Sequence, residues 1–105
     1  MTALAIEIDK DQLRDFCRRW RVTEFALFGS AVRPDAFRSD SDVDVMVTFA
    51  EDTRWTLLHM VDMKEQLEAL FGRPVDLLTR RGVERSHNRF RRESILDSAV
   101  VLDVA

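Results

Sequence analysis

The stretch FGSAVRPDAFRSDSDVDVMVTF, residues 28–49, decides how the chain is read. An apolar run ends at Gly29-Ser30, a polar stretch follows, and Asp42 and Asp44 then enter a second apolar run one residue apart. Side chains alternate along a strand, so Asp42 and Asp44 fall on one side while Val43, Val45, Val47 and Phe49 fall on the other. Two like charges held that close repel by about 1 to 4 kcal/mol, depending on the effective dielectric. A bound divalent cation reverses the sign of that interaction. Magnesium suits such a place, since it takes one or two carboxylates and completes its shell with waters and substrate phosphates.

A third carboxylate has the same context. Asp76 interrupts the short apolar run PVDLLT. If strand 75–79 lies beside strand 43–49, Asp76 faces the same place. Three acidic groups on neighbouring strands can hold two metals about 3.5 to 4 Å apart, as phosphoryl-transfer enzymes do. Gly29 permits a turn that other residues resist. Backbone N–H groups opening a helical turn at residues 30–33, together with the Ser30 hydroxyl, attract phosphate oxygens.

Around this centre the elements follow from periodicity. Leu13, Phe16, Cys17 and Trp20 recur on one helical face, with Asp9 or Asp11 as the cap. TEFALF predicts a buried strand at 23–28, and DVDVMVTF another at 43–49. Leu57, Met60, Met63, Leu67, Leu70 and Phe71 form a second helical stripe that Gly72 stops. A third strand at 75–79 is bounded by Pro74 and an Arg80-Arg81-Gly82 turn. A helix is predicted at about 84–98, and the apolar Ala99–Val104 either extends it or forms a short strand. Alternating elements of this kind predict an α/β or α+β fold, a small mixed sheet with helices packed on it.

Composition sets the bounds. The chain has 105 residues, which predicts a single domain over 1–105. Its net charge of −3 argues against general nucleic-acid or anionic-membrane binding. The single cysteine, Cys17, lies on an apolar stripe and reads as core. No apolar run approaches a membrane span and no secretory leader is evident, so the expected compartment is the cytoplasm.

The motifs GSAVR, SDSDVDVMV and VDLL together resemble the DNA polymerase β-type nucleotidyltransferase superfamily, and more narrowly the minimal nucleotidyltransferases of the MntA-like antitoxins found beside HEPN-domain toxins. The resemblance implies a polymerase β-like fold, with Asp42, Asp44 and Asp76 as catalytic residues and Mg²⁺ ligands. It further implies that Gly29, Ser30 and Arg33 bind the nucleotide, with two Mg²⁺ ions and ATP as substrate. The implied reaction moves AMP from ATP to a hydroxyl, a tyrosine of a cognate HEPN toxin, and so silences the toxin. Two departures stand out: eleven residues separate Ser30 from Asp42, and Pro34 follows Arg33 where glycine is common. The alternatives are an antitoxin that neutralises its toxin by complex formation alone, and a transferase acting on a small molecule of the aminoglycoside type. A homo-oligomer is compatible with apolar segments near the C-terminus.

Other features have plainer readings. Asp40, Asp42 and Asp44 fall at calcium-loop spacing, but the sixth position of such a loop needs a sharp turn and here holds Val45. Asp35 and Asp40 read as turn residues. His59 and His87 have no ligand partner at metal spacing and read as structural or surface residues, and Trp55 as packing at a helix start. At helical spacing Arg81, Arg85, Arg89 and Arg92 share a face. They read as a solvated face or as a surface for an acidic partner, and no aromatic platform accompanies them for nucleic acid.

Overall fold

The computed structural model describes residues 8–29 and 42–102. Four strands form one sheet in the order β3-β2-β1-β4: β1 is Val22–Phe28, β2 Val43–Phe49, β3 Val75–Thr79 and β4 Val100–Leu102. β1 runs antiparallel to both β2 and β4, and β2 runs parallel to β3. A parallel pair needs a crossover, and helix α2 (Leu57–Phe71) supplies it. The sheet is therefore mixed, as expected.

Two layers of helix cover the sheet. α1 (Lys10–Trp20) and α2 pack on the face that carries Phe25, Leu27, Val43, Val45, Val47 and Val75. Asp9 is the α1 cap: its carboxylate accepts from the backbone N–H groups of Asp11 and Gln12 at 3.1 and 3.2 Å. The helix ends at Arg21, whose φ of 57° is left-handed. α2 opens with a reciprocal cap between Thr56 and His59 and stops at Gly72, φ 68°. His59 thus serves structure, and its ring also stands edge-on to Trp55. The two tryptophans lock the layer together. Trp55 Nε1 donates to the Trp20 carbonyl and Trp20 Nε1 donates to Gln66 Oε1, each at 2.9 Å.

The opposite face holds a smaller core of Ala26, Phe28 and Met46 under Val83 and Ile95. Here the structure corrects the expected single helix at 84–98. α3 spans Arg80–Glu84, where a turn was expected, and α4 spans Arg89–Ser98. Between them Ser86 Oγ accepts from the Asn88 N–H, and the Asn88 side chain caps α4 by accepting from Arg91 N–H at 3.1 Å. The break leaves Arg81 and Arg85 on a different segment from Arg89 and Arg92, so the four do not form one helical face. Within the C-terminal apolar segment, Val100–Leu102 form β4, paired with β1. Leu57 also departs from the buried stripe: at the first turn of α2 it is 84% exposed.

Candidate active site

The three aspartates sit where the sheet's second face loses its helical cover. On β2, Val43, Val45 and Val47 enter the main core, which turns Asp44 and Met46 to the other face. Met46 lies under α3 and α4, while Asp44, two residues earlier, is only half-buried. Asp42 immediately precedes β2 and is exposed.

β3 completes the corner. Asp44 and Asp76 are register partners on the parallel pair, so their side chains leave the same face from strands about 4.8 Å apart. Two bonds hold the start of β3 in place. The Val75 N–H donates to Glu68 Oε2 of α2 at 3.0 Å, and the Val43 N–H donates to the Pro74 carbonyl at 2.9 Å. The register that brings Asp76 to Asp44 is thus fixed from both neighbours.

Gly29 meets Asp44 from the other side. It follows β1, whose last residue Phe28 pairs with Asp44. Its φ is +67°, and a Cβ placed there would collide with the Asp44 carboxylate. The backbone conformation favours glycine, and any larger residue would push the Asp44 carboxylate aside. Ser30 and Arg33 lie outside the described residues, as do Asp35, Asp40 and the expected turn at 30–33.

The electrostatics follow the geometry. Burial raises the Asp44 pKa above its ordinary value, the charges of Asp76 and Asp42 raise it further, and Arg91 of α4 partly offsets them. Among the described residues no set of three or more His, Cys, Asp or Glu side chains stands ready to enclose a metal ion. The corner is instead open, with the Asp76 and Asp42 carboxylates close enough for their charges to act on Asp44. That donor set fits magnesium, which uses few protein ligands and leaves the rest of its shell to water and phosphate. Arg91 carried no signal in sequence beyond membership of an arginine-rich segment, because its approach to Asp44 depends on the break before α4.

Residues 10–102 match the nucleotidyltransferase domain family, and the chain belongs to that family. It is 45% identical over 69 residues to protein adenylyltransferase MntA of Thermococcus cleftensis; the aligned part is 66% of this chain and spans 64% of that relative. A solved structure provisionally named a minimal nucleotidyltransferase shares 34% identity, with a TM-score of 0.64, over 91% of this chain and 98% of that one. A toxin–antitoxin crystal structure with AMP-PNP aligns with a TM-score of 0.66 over 90% of this chain and 72% of that one; at 17% identity it speaks to the fold alone. Among the described residues no helix is long and apolar enough to cross a membrane.

Proposed function

We propose that this chain is an antitoxin that transfers AMP from ATP to a tyrosine hydroxyl of a cognate HEPN-domain toxin. The observation that carries this reading is the in-register pairing of Asp44 with Asp76 beside the Gly29 bend. Crowding carboxylates on an open sheet face costs stability, and phosphoryl-transfer chemistry is what repays it. The adenylyltransferase relative supports a protein acceptor, and the toxin–antitoxin structure shares the fold.

In the proposed reaction the acceptor oxygen bonds to the α-phosphorus of ATP as the bond to the bridging oxygen breaks. Pyrophosphate leaves, and the acceptor proton passes to the Asp76 carboxylate. Gly29, Ser30 and Arg33 would hold the triphosphate through backbone N–H, hydroxyl and guanidinium groups. Asp42, Asp44 and Asp76 would hold Mg²⁺. When bound, the ions neutralise phosphate charge and make the acceptor hydroxyl easier to deprotonate. Asp44 stands between Gly29 and Asp76, so the triphosphate side and the acceptor side fall on opposite flanks of one carboxylate. That order suits an in-line displacement.

The test is intact mass. The purified chain, the product of the adjacent gene and Mg-ATP are incubated together. The reading expects one or more AMP additions on the toxin, lost in Asp42→Asn, Asp44→Asn and Asp76→Asn. Toxin neutralisation that survives all three substitutions with no mass gain identifies a purely stoichiometric antitoxin.

A further inference from the structure

A second feature lies at the outer edge of β3, along the residues that follow Asp76. A groove of about 740 Å³ runs between the start of α2 and the α3–α4 pair. Trp55, Leu57, Met60, Leu77, Val83 and Ile95 contribute apolar surface. Arg54, Arg81, Arg91 and Arg92 stand around it. Among the described residues none of these four guanidiniums is in an ion pair with a carboxylate, although Arg92 donates to the Ser86 carbonyl at 3.1 Å. Four such cations around an apolar trough, on a chain whose net charge is −3, form a local field opposite to the global one.

We infer that this groove docks an acidic segment of the acceptor protein, anchored by an apolar side chain, and so delivers the acceptor hydroxyl to Asp76. The inference rests on the transferase reading above and adds what the partner's surface must look like. Three observations support it. First, β3 is an edge strand of the described sheet, so its outer side is open to an extended partner segment. Second, Arg91 lines the groove and its charge also acts on Asp44, so the groove wall and the acidic corner share one side chain. Third, the groove lies on the β3 flank, away from Gly29 on the β1 flank. An in-line displacement needs the acceptor on that flank if the triphosphate rests on the other. Apolar anchors set affinity in such an interface, and the rim charges set specificity and encounter rate.

The test separates docking from chemistry. Arg54, Arg81 and Leu57 are exposed and lie away from the aspartates, so their substitution spares the core. Affinity for the purified neighbouring toxin is measured without nucleotide, for the wild type, for the double variant Arg54→Glu/Arg81→Glu and for Leu57→Asp. Each variant is expected to bind the toxin about tenfold or more weakly, with wild-type affinity falling as salt rises. Affinity for a fluorescent ATP analogue is expected to stay within about twofold, because these exposed side chains contribute nothing to that site. Unchanged toxin affinity in both variants overturns the proposal. So does a parallel loss of ATP-analogue affinity, which makes the groove a nucleotide site, or a wild type that does not bind the toxin at all. If groove variants lose the toxin but the wild type never adds AMP, docking stands and the transferase reading fails. Asp44→Asn is the converse control: it should abolish transfer and keep toxin affinity.

Discussion

Gly29 and Asp44 stand so close that a Cβ on the first would overlap the carboxylate of the second. The contact joins the end of β1 to the middle of the acidic corner, and Gly29 also holds a φ of +67°. Gly29→Ala is expected to cost about 1 to 2 kcal/mol from the left-handed backbone alone. It should also displace Asp44, so AMP transfer should fall more than stability explains. Urea unfolding alongside single-turnover transfer separates the two losses.

Asp44 titrates against the fold. Burial first, then Asp76 and Asp42, hold its proton more tightly in the native state than in the unfolded chain. The stability this group contributes is complete below its unfolded pKa of 3.8 and is lost as pH rises through the raised native value. In the presence of a chelator, Asp44→Asn should therefore be more stable than wild type at pH 7, by about 1 kcal/mol or less for a half-exposed group. The gap should close as pH falls towards 4. Urea melts at the two pH values measure it.

Glu68 positions Asp76 without touching the corner. Its carboxylate accepts the Val75 N–H at the first residue of β3. Glu68→Ala leaves that donor unpaired, at a cost of about 1 kcal/mol, and should slow transfer by loosening Asp76. Glu68→Gln keeps an acceptor and should restore most of the rate. Equal rates in both variants remove the positioning role.

Cys17 is core and not a nucleophile. It is 3% exposed, and burial raises its thiol pKa to about 11 from 9.0. A disulfide reagent at pH 8 should leave the native protein unmodified for as long as it stays folded. Labelling should appear only across the unfolding transition.

The sequence carried most of this architecture because local and tertiary signals agree. The α1 stripe of Leu13, Phe16, Cys17 and Trp20 is the buried face, and the valines of β2 alternate with Asp44 as the strand period requires. Gly72 stops α2 through a left-handed cap. Three features were not legible: helix α3 in place of the turn at Arg80–Gly82, the helix break and the exposure of Leu57. The helix break at 85–88 turns on Ser86 and Asn88, whose capping side chains are a local signal that an arginine-rich background obscures. Leu57 fits the helical stripe by spacing, yet at the first turn of α2 it opens onto the groove and not the core. At the site, Asp44 and Asp76 were legible as a pair only through the assumption that their strands are neighbours, which the parallel register satisfies. The groove had no linear signature, since its lining comes from β2, β3 and three helices.

The most direct test of the acidic corner is binding of Mn²⁺, a spectroscopically visible substitute for Mg²⁺, followed by electron paramagnetic resonance with a non-hydrolysable ATP analogue. The wild type should take up Mn²⁺, and Asp42→Asn, Asp44→Asn and Asp76→Asn should each weaken uptake by about tenfold or more, since in the proposed site each would remove a charged oxygen ligand. Uptake that is the same in the wild type and all three variants would contradict the proposal that these aspartates hold the metal.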